Sequence, residues 1–309
     1  MNHAHIVSRK LFVASIATFA FVLLELAAGV FASSLALIGD ALHNFTDTLA
    51  LLLALFALRL ERRPATAEKS YGYQRAGVIA AFINAGTLVA FTIFIFFEAI
   101  QRLRVEHPVN TQWMMITAGV AIVLNGAITW SLRDEGRTDL NIHSAVLHML
   151  GDAVSSAGII AAAILIRVTA MPFWDPIMSM LIGVMILWSS WGVLREALNL
   201  LLEGTPAGID PQAVTRSLAA IDGVYGVHHL HIWALGHSRP ALSCHLMVGD
   251  IAVKTTGTLL DRVNQMLTDE YNIAHTTIQF EFANCDVDDP YCVPYTQDYV
   301  IPSRADGEG

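Results

Sequence analysis

Charged residues are scarce in this chain. Asp, Glu, Lys and Arg make up 15% of its 309 residues, against roughly a quarter in a typical soluble domain, and 54% are hydrophobic. The net charge is −9, and the polar part has no basic stripe with interleaved aromatic residues, which argues against a nucleic-acid-binding protein. Only three cysteines are present, too few for a disulfide framework.

The hydrophobic residues are concentrated in long runs. Six runs approach or exceed the roughly 20 residues that a helix needs to cross the hydrocarbon layer. The first run follows two basic residues, as in a signal peptide, but it lacks a small-residue cleavage site and leads directly into the next run, so we predict a retained helix. The predicted spans cover 11–31, 34–59, 77–103, 112–132, 142–168 and 174–202.

The basic residues near these spans predict the orientation of the chain. With the N-terminus in the cytoplasm, the inner flanks carry ten Lys and Arg residues and the outer flanks carry three, namely Arg102, Arg104 and Arg167. Because Lys and Arg accumulate on the cytoplasmic side of a membrane, both termini and the polar C-terminal part are predicted to be cytoplasmic.

The C-terminal part has the pattern of a small soluble domain. Asp210 and Pro211 suit the N-cap and first position of a helix, and the segments that follow predict the order α-β-β-α-β. This order is typical of an α+β domain with helices on one face of a sheet. We therefore predict a membrane domain over 1–203, a cytoplasmic domain over 204–285 and an irregular acidic tail over 286–309.

Two of the predicted spans carry a His and an Asp four residues apart. Charged groups within a membrane are costly, so they normally face the interior of a helix bundle and mark an ion or proton pathway. A spacing of four puts both side chains on one helix face, and two such helices would offer two nitrogen and two oxygen ligands. That set suits a tetrahedral ion, with Zn²⁺ as first choice. The residues are His43, Asp47, His148 and Asp152.

Two further acids lie in the predicted spans. Asp40 is seven residues before Asp47, on nearly the same helix face, where it would either orient His43 or cap the N-terminus of the helix near the outer surface. Glu25 should face the bundle interior, as a proton-relay group or a structural partner.

The motifs "SLALIGDALHNFTD", "SYGYQRAGVIAAFINA" and "NIHSAVLHMLGD", followed by a small C-terminal domain, resemble those of the cation diffusion facilitator family of zinc-efflux proton antiporters. The resemblance covers about 9–285. It implies a homodimer in which His43, Asp47, His148 and Asp152 form the transport site of each protomer, with Zn²⁺ and often Cd²⁺ as the cargo. It also implies a metallochaperone-like fold for the cytoplasmic domain, which would dimerise and bind zinc.

The resemblance also implies roles outside the transport site. Arg75 and Glu203 match a charge interlock at the junction of membrane and cytoplasm in the dimer. The loop "TAEKSYGYQR" has Lys69 and Tyr73 where some members place histidine, so no metal site is predicted there. The short loop "RDEGRTDLN" contains no histidine, which favours a compact bacterial-type exporter of the inner membrane.

A second, regulatory zinc site is predicted in the cytoplasmic domain. His228 and His245 match family positions that ligate metal, and His275 and Glu281 flank the last strand and could complete the set. The alternative is that these are solvated surface histidines without an ordered metal. On the strand "VHHLHIW", alternation places His228 on one face and His229 on the opposite face. Cys285 and Cys292 could add thiolate ligands, but their seven-residue spacing is not that of a zinc knuckle.

Three functions compete for this pattern of residues. Metal ligands must lose their protons to bind, so protons that enter from outside would displace the ion and couple the two fluxes. A membrane metalloenzyme would need an open coordination position and a general base, and the chain has no HExxH motif. A passive channel or sensor would not couple zinc to protons. We predict a proton-coupled zinc exporter, not an enzyme, without an organic cofactor.

Overall fold

A computed structural model describes residues 3–105, 107–133, 140–236 and 239–282 of the chain. The described residues fall into two compact units, one within Met1–Leu198 and one within Asn199–Gly309. The elements, in chain order, are α1 His3–Ala32, α2 Leu35–Glu61, α3 Ala76–Arg104, α4 Thr111–Leu132, α5 Leu140–Thr169, α6 Trp174–Leu201, α7 Pro211–Ala219, β1 Val224–Gly236, β2 Arg239–Val248, α8 Val253–Tyr271 and β3 His275–Glu281.

The helices of the first unit have the length and composition of membrane spans. Among the described residues, five helices from α2 to α6 meet this requirement, and α1 contributes a shorter apolar stretch, Ile16–Ala32. Large apolar side chains cover the outside of the unit, with Phe31 80% and Trp188 87% exposed. Such a surface would be unfavourable in water but suits contact with lipid.

Four helices of this unit pack around a common interior. α1 contacts α2 and α4, and α5 contacts α2 and α4 in turn, while α3 packs against α2. The close approach of α1 and α2 depends on Gly29, where a Cβ atom would lie 2.9 Å from Cγ1 of Ile38. Because α2 and α5 are neighbours in this arrangement, their polar side chains can meet inside the bundle.

The start of α2 is held by a buried acid from α6. The Asp175 carboxylate accepts hydrogen bonds from Ser34 Oγ at 2.5 Å, from the Leu35 amide at 2.7 Å and from the Ala36 amide at 3.3 Å. Ser34 is the N-cap residue of α2. The suggestion that Asp40 caps this helix was therefore wrong, because the helix begins five residues earlier and its free amides are already bonded.

The second unit is a three-stranded sheet with helices α7 and α8. Its strand order is β1-β2-β3, with β1 and β2 antiparallel and β2 and β3 parallel. Leucine and valine side chains of both helices and the strands form one core. The predicted start of α7 is confirmed: Asp210 accepts a hydrogen bond from the Gln212 amide, and Pro211 follows it.

Candidate metal centres

The first candidate centre lies between α2 and α5. His148 Nε2 is 3.2 Å from Asp47 Oδ2 and 3.7 Å from Asp152 Oδ2. His43 Nδ1 is 3.5 Å from Asp47 Oδ2, and its Nε2 is 3.9 Å from Asp152 Oδ1. Each imidazole therefore lies beside one carboxylate of its own helix and one of the other helix. The structure brings together the four residues that the i, i+4 spacing had singled out.

Exposure within this centre is uneven. The His148 side chain is 41% exposed, whereas that of Asp152 is 5% exposed, so the centre is open on one side and closed on the other. Among the residues that the structure describes, the buried Nδ1 of His43 and Oδ2 of Asp47 form no hydrogen bond. Unsatisfied polar atoms in a low-dielectric interior are costly, and a cation between them would satisfy imidazole and carboxylate together. The donor set therefore fits a divalent metal ion.

A second polar group lies on the same side of α2. Asp40 accepts a hydrogen bond from Ser155 Oγ of α5 at 2.5 Å, and Glu25 of α1 accepts one from Asn44 Nδ2 at 3.4 Å. The expectation that Asp40 orients His43 finds no matching hydrogen bond in the described part of the chain. Its contact with Ser155 instead links α2 to α5, about one helical turn from the four residues of the first candidate centre.

The second candidate centre lies on the sheet of the second unit, which contains the predicted cytoplasmic domain and is called the cytoplasmic unit below. One nitrogen each of His228, His229 and His245 lie within 4.8 Å of one another. Glu281 adds a carboxylate: its Oε2 is 2.9 Å from His228 Nε2, and its Oε1 is 2.8 Å from His245 Nδ1. Imidazole and carboxylate in this proportion form a donor set that zinc favours.

Sequence reasoning missed His229. It follows His228 directly, and strict alternation would put the two side chains on opposite faces of β1. The pairing register shifts between His228 and His231, and His229 has a left-handed backbone with φ of 48°. This bulge turns both neighbouring imidazoles toward His245. The adjacent histidines were the available signal, but a bulge cannot be located from alternation alone.

Other predicted residues lie elsewhere. His275 begins β3 and Glu281 ends it, so the two are separated by about 20 Å of extended strand, and His275 does not join the histidine cluster of its own chain. Arg75 stands before α3, and Glu203 follows α6 with a left-handed backbone. The side chain of Cys285, like that of Cys292 and the whole predicted tail, lies outside the described residues.

The cytoplasmic centre shifts the pKa of two of its groups. Partial burial and the nearby imidazoles of His229 and His228 lower the pKa of His245, although Glu281 opposes the shift. Desolvation alone would raise the pKa of Glu281, but His245 and His228 outweigh it, so that pKa is lowered as well. Both shifts favour the deprotonated, metal-binding forms at neutral pH.

These shifts predict that acid destabilises the metal-free cytoplasmic unit. Because the folded pKa of His245 is below its unfolded value of about 6.5, the unfolded chain binds more protons below that pH, and stability falls as the pH decreases. Glu281 adds a further loss below about pH 4.5 for the same reason. We expect the protection factors of the amide hydrogens in β1 and β2, which are the exchange rates corrected for their intrinsic pH dependence, to fall in the metal-free protein between pH 7 and pH 5.

The matched variants for this experiment are His245→Asn and His231→Asn. The first removes a histidine of the cluster, and the second removes an exposed histidine of β1. His245→Asn should flatten the pH dependence of the protection factors, and His231→Asn should retain it. An unchanged pH dependence in His245→Asn would assign the acid sensitivity to other groups.

Comparison with known proteins identifies the family. The cation efflux transmembrane domain matches residues 11–202, and the cytoplasmic domain of cation efflux proteins matches residues 206–283. The chain belongs to the cation efflux family. The predicted resemblance to cation diffusion facilitators is confirmed, and so is the predicted fold class, a multi-pass helical membrane protein with a C-terminal cytoplasmic α+β domain.

Similar proteins support this assignment over most of the chain. Zinc transporter ZitB from Shigella flexneri is 40% identical over 90% of this cation efflux protein and 88% of the relative. The CzcD metal cation efflux protein from Cupriavidus metallidurans is 38% identical, with the same shares covered. A cadmium, cobalt and zinc/H⁺-K⁺ antiporter from Bacillus subtilis is 33% identical over 91% of each chain. A solved metal-bound C-terminal domain of CzcD is 39% identical, covers 24% of this chain and all of that domain, and has a TM-score of 0.22.

Proposed function

We propose that this protein exports Zn²⁺, and also Cd²⁺, from the cytoplasm in exchange for protons. The observation that carries the proposal is the convergence of two imidazoles and two carboxylates from α2 and α5 inside a membrane bundle. Relatives that are named as zinc transporters and as a cadmium, cobalt and zinc antiporter support the choice of cargo. The protein would lie in the inner membrane with both termini in the cytoplasm.

The chemistry of the four donors suits this cargo. Zn²⁺ is commonly bound by imidazole nitrogen and carboxylate oxygen in tetrahedral geometry, and two carboxylates neutralise its charge in the apolar interior. Cu(I) would prefer thiolates, and all three cysteines of the chain follow the last span. Oxygen ligands alone would favour Mg²⁺ or Mn²⁺ over zinc.

Proton competition supplies the coupling. The ligands bind metal only when His43 and His148 are neutral and Asp47 and Asp152 are ionised, so protons that reach the centre from outside displace the ion. Export then requires two arrangements of the bundle, each favoured by a different occupancy of the centre. Zinc bound from the cytoplasm would be released outside, and the protonated centre would return.

The cytoplasmic domain would regulate this cycle. We propose that it binds zinc through His228, His245 and Glu281, with His229 as an additional ligand, and that it stabilises a homodimer. The family model that matches residues 206–283 is named for a dimer, which supports that assembly. In the dimer, Arg75 and Glu203 would form the junction interlock. The domain boundaries would lie near residues 203 and 285.

Reconstituted transport tests the proposal. The purified protein is placed in liposomes, and zinc uptake is measured together with proton movement by a pH dye on the opposite side. We expect zinc and protons to move in opposite directions in the wild type, and Asp152→Ala to abolish both fluxes. Glu98→Ala removes an acid from α3, outside the centre, and should retain both.

Two outcomes would contradict parts of the proposal. Zinc flux in the wild type without proton movement would rule out antiport and favour a channel or uniporter. Normal transport by Asp152→Ala would rule out the four-residue centre. The same assay with Cd²⁺, Co²⁺ and Mn²⁺ would establish the selectivity.

A further inference from the structure

Two carboxyl groups lie together inside the bundle but outside the four-residue centre. Glu25 of α1 is 0% exposed, and Asp40 of α2 is 1% exposed. Asp40 lies one helical turn before Asn44 on α2, and Asn44 donates to Glu25, so both carboxyl groups lie on the same side of α2. Asn44 donates to Glu25 Oε2, and Ser155 donates to Asp40 Oδ1. In the described part of the chain, the remaining oxygens, Glu25 Oε1 and Asp40 Oδ2, have no donor.

This pair needs a positive charge beside it. An ionised carboxylate that is removed from water is strongly destabilised unless it is paired, and two carboxylates at short range repel each other. One amide and one hydroxyl are neutral donors, and they satisfy only one oxygen of each acid. The two unsatisfied oxygens of Glu25 and Asp40 therefore mark the position of a cation.

The surroundings connect the pair to the transport centre. Asp40 lies one helical turn before His43 on α2, and its partner Ser155 lies one turn after Asp152 on α5. The sequence of α4, Thr111–Leu132, contains no titratable residue. The field at Glu25 and Asp40 therefore depends on what occupies the centre that contains His43 and Asp152.

We propose that Glu25 and Asp40 form a second cation site, which holds a monovalent counter-ion of the transport cycle. The inference rests on the proposed exchange of zinc for another cation. The donors are all oxygen atoms, a set that takes a proton or a hard alkali ion in preference to zinc. Proton and alkali ion share this chemistry, and the experiment distinguishes them.

The two sites are filled in alternation. When Zn²⁺ occupies the transport centre, its charge compensates Asp152 and repels a cation at Glu25 and Asp40, so the counter-ion leaves. When zinc departs, the negative charge of Asp152 is no longer balanced, and it attracts the counter-ion back to Glu25 and Asp40. One positive charge then returns through this pair for each zinc ion exported, in addition to protons carried by the transport centre.

The test compares Glu25→Gln with the matched control Glu98→Gln in the full-length protein. Zinc affinity is measured in detergent. The number of counter-ions exchanged per zinc ion is measured in liposomes, from the counter-ion gradient that just stops net zinc flux against a fixed zinc gradient. Glu25→Gln should retain zinc binding to within about tenfold, because it is not a ligand, and should exchange one counter-ion fewer. Glu98→Gln should behave as the wild type.

Infrared difference spectra between zinc-free and zinc-bound protein identify the ion. A protonated-carboxyl band in the zinc-free wild type that is absent from Glu25→Gln assigns a proton. Absence of that band, together with zinc flux that follows a K⁺ or Na⁺ gradient in the wild type and not in Glu25→Gln, assigns an alkali ion.

Two results would overturn the second site. One is a wild-type counter-ion number in Glu25→Gln, and the other is a loss of zinc binding as complete as in Asp152→Ala. Asp40→Asn serves as the second variant if Glu25→Gln does not fold. The infrared spectrum of the wild type does not require transport, so a failure of zinc antiport and a failure of this second site give different results.

Discussion

Replacing Asp47 with asparagine will abolish zinc binding at the membrane centre and, with it, transport. The Oδ2 atom of Asp47 is near both imidazoles, at 3.5 Å from His43 and 3.2 Å from His148, so it is the carboxylate atom shared by the two histidines. Asparagine keeps the shape but removes one of the two negative charges that would balance Zn²⁺. We expect the affinity to fall by more than about 100-fold, beyond the effect of losing a residue that only supports a ligand.

Calorimetric titration of the detergent-purified protein with Zn²⁺ measures this loss. The matched control is Thr48→Ala, one residue further along α2, where the hydroxyl donates only to the backbone of its own helix. Because the cytoplasmic centre would bind zinc too, both variants are made in a background that carries His245→Ala. Retention of near wild-type affinity by Asp47→Asn would exclude Asp47 as a ligand.

Replacing Asp175 with alanine will destabilise the membrane unit. The variant leaves Ser34 Oγ and the amides of Leu35 and Ala36 without their acceptor in a fully buried place. Loss of a helix cap and of buried hydrogen bonds costs at least about 2 kcal/mol. We expect a lower unfolding temperature in detergent and less folded protein in the membrane.

Asp175→Asn is the informative comparison because its amide oxygen can still accept hydrogen bonds. It should lie between the wild type and Asp175→Ala in thermal unfolding. Replacement of Ser179 by alanine is the control on the same helix, because its hydroxyl bonds to the Asp175 carbonyl within α6. Equal unfolding temperatures for wild type and Asp175→Ala would show that this contact contributes little to stability.

The features that depend on local spacing along the chain could be predicted from the sequence. The interval of four residues between His43 and Asp47, and its repetition in α5, depends only on helix geometry, so the convergence of these side chains could be predicted. The spans could be predicted because lipid requires long apolar helices. The start of α7 followed from the capping preference of Asp210.

Contacts between distant segments could not be predicted in the same way. Asp175 is 140 residues from the Leu35 amide that it binds, and nothing near it in the sequence indicates that partner. The partner of Asp40 is Ser155. This pairing depends on how far α2 and α5 are displaced from each other along their axes, which the sequence does not give. His229 joins the cytoplasmic cluster through a single left-handed residue, which alternation cannot show.

The division of the membrane centre between two helices has a consequence for how its specificity can change. Its shortest contact, between His148 and Asp47, crosses from α5 to α2, so the distance between these helices sets the size of the space that the donors enclose. A residue packed behind either helix can widen or narrow that space while every donor atom stays the same. Preference among ions of different radius is therefore adjustable at many positions, most of which never touch the ion.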